Sequence, residues 1–280
     1  MPAGRRPGLV VLANSAARAG GSCLCRAPSQ LPQPLQPGAG VCRLERGRLS
    51  FPYLIGLGRQ LGRDHADFRY SDFPKTGAAN DVLLSSHRAR DDAALLGEML
   101  LVLKTLAGEE GEKAVRHFVQ GNGTKLTHGP DSPLSRMASG SRQFLVNFLQ
   151  VAMRIYERVR KLAAGGQAPD YSALRVEVPA THWGLLDFPS KAQDPEGTAL
   201  KAILGGTQGE ELYATSLRHD PFGRTYRLGL RWVIFDHFGV DTSDLYAPGL
   251  LPFYVLQHER RGYRPYVNEV VIETAVKGRY

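Results

Sequence analysis

The stretch ELYATSLRHDPFGRTYRLGLRWVIF, residues 211–235, decides the fold. Apolar and polar residues alternate on both sides of HDPFGR, whose composition is typical of a tight turn. In the second half, alternate positions are apolar and fall on one face of an extended chain, namely Tyr226, Leu228, Leu230, Trp232 and Ile234. The stretch therefore predicts an antiparallel hairpin with one face in a core.

Five segments around the hairpin complete the C-terminal half. NEVVIETAVKG, residues 268–278, predicts a closing strand. ALRVEV at 173–178 and LKAILGGT at 200–207 are two further strand candidates, and GGTQG at 205–209 predicts a tight turn or bulge between strands. APGLLPFYVLQHERR, residues 247–261, is apolar on nearly every side and predicts a buried helix.

The preceding half has helical periodicity. A helix is predicted from an Asp91 or Asp92 cap to a stop at Gly108, and a second, short one covers residues 109–120. A third, longer helix is expected from Ser132 or Pro133 to Gly165. We predict an α+β fold, with an N-terminal helical half packed on a C-terminal antiparallel β-sheet that carries one inserted helix.

Three regions follow from these patterns. Residues 1–48 are rich in Pro, Gly, Ala and Arg and are predicted to be a disordered leader or the product of a start assigned too far upstream. Residues 49–168 are mainly helical and residues 169–280 are β-rich, and we expect 49–280 to form one domain. All three cysteines, Cys23, Cys25 and Cys42, lie in the leader, which excludes a disulfide-stapled domain.

The charge and hydropathy patterns limit the partners and the location. The net charge is +8, of which the five arginines of residues 1–44 supply +5, so the rest is nearly balanced and no nucleic-acid partner is expected. No apolar run approaches the roughly 20 residues that span a bilayer. The apolar run GLVVLA in the leader is shorter than a signal peptide requires. We expect a cytoplasmic protein in the producing cell, with export by a dedicated secretion system as the alternative.

The segment DHFGVDTSDLY, residues 236–246, is the main candidate site because it places titratable groups directly after a strand. A carboxylate that orients a histidine base, with an arginine that stabilises an anion, would support hydrolysis. The same groups would also suit a divalent ion, so the cofactor is left open. The candidate catalytic residues are Asp236, His237, Asp241, Asp244, Tyr246, His258 and Arg260.

Each of these residues also has a structural interpretation. Asp241 and Asp244 would cap a short helical turn, and His258 would donate to a backbone carbonyl in the core. Thr207 and Gln208 are candidates for lining a substrate pocket. His128 and Asp131 would join the site only if their loop folded over the sheet, and a solvated loop is the default expectation.

The motifs GGTQG, DHFGVD and LQHER followed by YRPYV together resemble a family of uncharacterised bacterial proteins, a domain of unknown function. The resemblance covers Gly205 to Val270 best and extends more loosely over residues 73–162. Some members are linked to toxin or secretion-effector systems. The resemblance therefore implies an interbacterial effector or toxin domain with hydrolytic activity, and an immunity protein or secretion component as partner. The alternative is a non-enzymatic binding or structural component of a secretion system.

Overall fold

The predicted hairpin is the centre of the sheet. In the computed structural model, β4 (Gly209–Asp220) and β5 (Thr225–Phe238) pair antiparallel across the turn. The even-numbered positions of β5 from Tyr226 to Ile234 are buried, as the alternation predicted, and the buried face continues through Asp236 and Phe238. The structure describes residues 9–12, 53–60, 81–169, 174, 188, 194–205, 207, 209–240, 242–247 and 249–280, with the backbone alone at 9–12, 53–60 and 242–243.

The closing strand β6 (Tyr266–Arg279) lies antiparallel to β5 over its whole length, from Thr225 opposite Arg279 to Phe238 opposite Tyr266. Three shorter strands complete the sheet, which are β1 (Leu9–Leu12), β2 (Tyr53–Gln60) and β3 (Leu126–His128). The order is β1-β6-β5-β4-β2, and β3 pairs parallel with β6. Four residues of the predicted leader thus form an edge strand, and the rest of the leader lies outside the described residues.

The helices within the described residues number six, and a short 3-10 helix spans Thr242–Tyr246. They are α1 (Asp81–Arg88), α2 (Asp92–Gln120), α3 (Pro133–Gly140), α4 (Arg142–Ala164), α5 (Pro195–Leu204) and α6 (Leu250–Glu259). Helices dominate the first half and strands the second, so the α+β class is confirmed. No helix in the described part of the chain is long and apolar enough to cross a membrane.

Two predicted helix boundaries and one predicted strand are wrong. The first two predicted helices form one element, α2, which changes direction at Gly108 (φ 57°, ψ −133°). The long third helix is divided at Ser141, which ends α3 and whose hydroxyl accepts from the Phe144 amide at the start of α4. The segment LKAIL is helical, because Asp194 caps α5 and Pro195 occupies its first turn.

Two connecting segments also differ from the prediction. GGTQG joins a helix to a strand, α5 to β4, and does not join two strands. The segment expected to be a solvated loop contains β3, and His128 at its end is only 1 % exposed. The strand candidate at 173–178 lies outside the described residues except for Leu174, which is in a turn.

The core lies between the helices and the face of the sheet that carries the even-numbered residues of β5. Trp232 meets Phe144 of α4 edge to face at 5.1 Å. Phe118 of α2 packs against Phe253 of α6 at 4.8 Å. Because residues from both halves share these contacts, α2, α4, α6 and the sheet form one packing unit.

Candidate functional site

Arg260 lies just after α6 and holds the link between α1 and α2. Its Nη2 donates to the carbonyl oxygens of Arg88 at 2.9 Å and Arg90 at 3.1 Å. Its Nε lies 3.1 Å from Oδ1 of Asp92, the first residue of α2. The neighbouring Glu259 accepts from the Arg88 guanidinium at 2.7–2.9 Å. The guanidinium of Arg260 is therefore occupied by contacts that hold helices together.

His258 sits on the same face of α6 as Tyr254, as predicted, and their ring centroids are 4.2 Å apart. Its Nε2 lies 3.0 Å from the carbonyl oxygen of Val240. The adjacent Gln257 accepts from the Val240 amide and donates to the Val240 carbonyl, both at 2.9 Å. Together these two side chains fix the chain just beyond β5, which matches the structural interpretation of His258.

The other predicted residues occupy different surroundings. Asp236 and His237 point to opposite faces of β5 because adjacent residues of a strand alternate. Asp244 and Tyr246 lie in the 3-10 helix, where Asp244 is half-buried and Tyr246 is 74 % exposed. Asp241 and Gln208 lie outside the described residues. The structure brings His258 to the segment that follows Asp236, while Arg260 is bound at the α1–α2 link.

Asp236 is buried against the loop after α5. An added Cβ at Gly205 would lie 2.9 Å from Oδ2 of Asp236, and Gly205 has a φ of 62° and a ψ of −128°. Both facts require glycine there, since a side chain would meet the carboxylate and L residues rarely adopt this conformation. Thr207 in the same loop is 1 % exposed, and among the described residues its Oγ1 has no hydrogen-bond partner.

A buried polar network continues from this point across the sheet. Asn268 lies directly opposite Asp236 on β6 and donates from Nδ2 to the carbonyl of Ile203 at 3.1 Å. Its Oδ1 faces Nε2 of His128 at 2.8 Å, and Nδ1 of His128 is 3.1 Å from Oε2 of Glu110. We call Glu110, His128, Asn268 and Asp236 the polar seam. It joins α2, β3, β6, β5 and the end of α5.

The protonation of His128 follows from its surroundings. Burial first, and the ammonium of Lys113 second, lower the pKa of His128 to about 4, so the ring is neutral at pH 7. Because the amide nitrogen of Asn268 is used by Ile203, the neutral ring donates Nε2–H to Asn268 Oδ1. Nδ1 then accepts from Lys113 Nζ at 3.4 Å, and Oε2 of Glu110 lies beside the ring without a hydrogen bond to it. In the described residues, no three His, Cys, Asp or Glu side chains are grouped to hold a metal.

A row of cations crosses the other end of the sheet. Arg218 of β4 lies directly opposite Arg227 of β5, which lies directly opposite Lys277 of β6. We call these three residues the cationic row. Arg218 and Arg227 are exposed and Lys277 is half-buried. No member forms an ion pair with a carboxylate of the described residues.

The cationic row lines an open trough of about 420 Å³. The other lining residues are His219, Asp220, Thr225, Tyr226, Gly278 and Arg279. Asp220 supplies the acidic side chain of this lining, and its Oδ1 accepts from the amides of Phe222 and Gly223 at 3.0 Å. That carboxylate therefore fixes the hairpin turn, and the trough is left strongly cationic.

Sequence reasoning missed the cationic row because the three residues are up to 59 positions apart and meet only through strand register. It assigned His128 to a solvated loop, although Leu126 and His128 fall on one face of a two-residue period. Comparisons with protein-family models, with curated proteins and with solved structures found no match.

Proposed function

We propose that this protein is a binding protein whose cationic row holds a polyanionic ligand. The observation that supports the proposal is the register of Arg218, Arg227 and Lys277, three like charges directly opposite one another on adjacent strands. Like charges directly opposite in a sheet are destabilising. An anion bound across them would remove that repulsion.

Strands β5 and β6 also carry a pair of opposite charges, four residues away from Arg227 and Lys277. Arg231 of β5 lies directly opposite Glu273 of β6, and Nη2 of the arginine is 2.8 Å from the carboxylate. This pair shows the usual way in which cross-strand charges are matched on a sheet. The cationic row has the same geometry without the acidic partner, which supports an external anion.

The dimensions favour an extended ligand. Adjacent strands are about 4.8 Å apart, so the backbone positions of the row span roughly 10 Å. Arg279 is two residues beyond Lys277 on the same face of β6 and also lines the trough. A polymer can place a separate charge on each cation across this distance, whereas a single phosphate or sulfate brings its charge to one point.

Retention on a heparin column tests polyanion binding. The test variant is Arg218→Gln/Arg227→Gln/Lys277→Gln, which removes three charges from the trough. The control is Arg142→Gln/Lys161→Gln/Arg261→Gln, which removes three exposed charges from α4 and from the segment after α6. The five leader arginines are present in every protein, so their contribution cancels.

We expect the wild type and the control to elute at similar salt concentrations and the test variant to elute at a clearly lower one. Circular dichroism at pH 7 confirms that each variant is folded. Co-elution of the test and control variants would contradict the proposal, because retention would then depend on total charge alone. Failure of the wild type to bind would also contradict it.

Hydrolysis by an effector or toxin domain is the second candidate function, and the loop beside Asp236 favours it. A buried carboxylate beside the glycine backbone of a loop that also carries the buried Thr207 hydroxyl is an arrangement in which a carboxylate can act as a general base. Asp236 would be that base, and a partner in a secretion or immunity system would belong to this function.

Expression in the cytoplasm and in the periplasm of a bacterial host tests this second function. We expect wild type to slow growth in one compartment and Asp236→Asn to abolish the effect at equal protein abundance. His258→Gln is the comparison variant, because the structure assigns His258 to the Val240 contact. Equal growth of the wild-type and Asp236→Asn strains in both compartments would exclude the hydrolytic effector.

A further inference from the structure

We infer that the polyanion is a single-stranded nucleic acid, with its phosphates on the cationic row and one base stacked on Phe222. This inference rests on the proposed function and names the ligand of that same surface. It differs from what the charge pattern along the chain suggested, because the sheet collects cations that are far apart in sequence.

Phe222 projects from the turn between β4 and β5 and is 98 % exposed. The turn beneath it is held by the Asp220 carboxylate, which accepts from the amides of Phe222 and Gly223. An added Cβ at Gly223 would lie 2.4 Å from Asp220 Oδ2, so the carboxylate packs directly on the turn. A large apolar ring on a well-anchored turn presents a stacking surface at little entropic cost.

Tyr280 and His219 lie on the opposite face of the sheet from the cationic row, where Tyr280 packs against the hydrophobic core. The guanidinium carbon of Arg224 lies 5.8 Å from the ring centroid of Tyr280. The Tyr280 ring in turn stacks on His219 with 5.7 Å between centroids and 16° between planes. The exposed ring beside the cationic row is therefore Phe222, and sites for single-stranded nucleic acid combine such a ring with a cationic groove, because any base offers a π face and every nucleotide a phosphate.

Other polyanions fit this surface less well. In a duplex each base is covered by its neighbours, so the Phe222 ring would find no free face to stack on. A bilayer surface is flat, whereas the cationic row lines a concave trough. A polysaccharide sulfate would use the cations and leave Phe222 without a partner.

Fluorescence anisotropy with labelled probes tests the inference. The probes are a 20-mer of deoxythymidine, the same strand paired with deoxyadenosine, and vesicles containing phosphatidylserine. The proteins are the wild type, Phe222→Ala, and Val82→Ala as a control that shortens another exposed apolar side chain, 81 % exposed on α1.

We expect the wild type to bind the single strand more tightly than the duplex. Phe222→Ala should weaken single-strand binding roughly tenfold, the effect of losing about one stacked base, and leave duplex and heparin binding unchanged. Val82→Ala should match the wild type. Equal affinities for strand and duplex, or no effect of Phe222→Ala, would overturn the inference while heparin retention still supports the proposed function. Loss of vesicle binding alone in Phe222→Ala would identify a membrane ligand and also overturn it.

Discussion

Arg227 of β5 and Lys277 of β6 lie directly opposite each other, and neither has a carboxylate partner among the described residues. Four residues away on the same two strands, Arg231 and Glu273 occupy an equivalent pair of positions and form an ion pair. The sheet thus contains a matched and an unmatched cross-strand pair within one backbone geometry. Because, of these four residues, only Arg227 and Lys277 line the trough, substitutions at the two pairs can separate effects on the free energy of unfolding from effects on ligand binding.

Lys277→Glu should make the protein more stable and a weaker binder. The change converts the unmatched pair into an Arg–Glu pair like Arg231–Glu273, which should raise the free energy of unfolding by roughly 0.5 kcal/mol. It also removes a phosphate contact and adds a repulsive carboxylate. Urea denaturation measures the first effect, and anisotropy with the 20-mer strand measures the second.

Glu273→Lys is the matched control for that prediction. It creates a second pair of opposed cations, so the free energy of unfolding should fall by a similar amount, while binding in the trough should be retained. If Lys277→Glu lowered stability, the cationic row would not be a site of electrostatic repulsion.

Gly205→Ala should destabilise the protein. Gly205 has a φ of 62° with a ψ of −128°, a combination that costs other residues roughly 1–3 kcal/mol. The new methyl group would also meet Asp236 Oδ2 at 2.9 Å. Thermal or urea denaturation gives the loss directly.

The Asp236→Ala background separates the two causes. Removing the carboxylate should relieve the steric part of the Gly205→Ala effect and leave the backbone part, so the two substitutions should be non-additive. Gly97→Ala in α2, where nothing lies within 4 Å of the added carbon, should be neutral or slightly stabilising. Strict additivity at Gly205 and Asp236 would show that the loop and the carboxylate do not touch.

The strands of the hairpin, the closing strand and the buried helix α6 could all be predicted because their hydrophobic patterns are long and regular. The prediction of a strand at LKAIL is wrong because a short apolar run suits a strand or a helix equally, and the helix start at Asp194–Pro195 decides between them. Ser141 breaks the third predicted helix although the apolar stripe continues across it, so periodicity alone could not reveal the division.

The candidate site was less predictable than the fold. The proximity of Asp236 to Gly205 depends on how α5 meets the end of β5, and the burial of His128 depends on pairing between β3 and β6. Arg260 has the side chain expected of an anion-stabilising site residue, yet its guanidinium donates to carbonyl oxygens of the α1–α2 link. Such long-range contacts are set by tertiary packing and leave no local signal in the chain.

Arg260→Lys should destabilise the fold. A lysine keeps the charge near Asp92 and loses the paired contacts with the carbonyls of Arg88 and Arg90, which should cost about 2 kcal/mol. Arg261→Lys, at the exposed neighbouring position, should have no measurable effect on urea denaturation. Equal stability of the two variants would show that Arg260 does not hold the α1–α2 link.

The pH dependence of stability should report on His128. Its pKa is about 4 in the folded protein and about 6.5 when unfolded, so the unfolded state binds more protons between these values. The contribution of His128 to the free energy of unfolding is therefore complete above pH 6.5. It is lost as the pH falls through 4, by roughly 3 kcal/mol in total. His128→Gln should flatten the stability profile in that window. An unchanged slope in the variant would contradict the neutral, buried state of His128.

The salt dependence of binding tests the central claim most directly. The measurement compares dissociation constants for the 20-mer strand over a range of salt concentrations in the wild type, the Arg218→Gln/Arg227→Gln/Lys277→Gln variant and the matched control. Each phosphate contact contributes about 0.7 to the slope of log affinity against log salt, so the test variant should lose a slope of about 2. The control should keep the wild-type slope. Equal slopes in all three proteins would contradict the claim that the cationic row binds the polyanion.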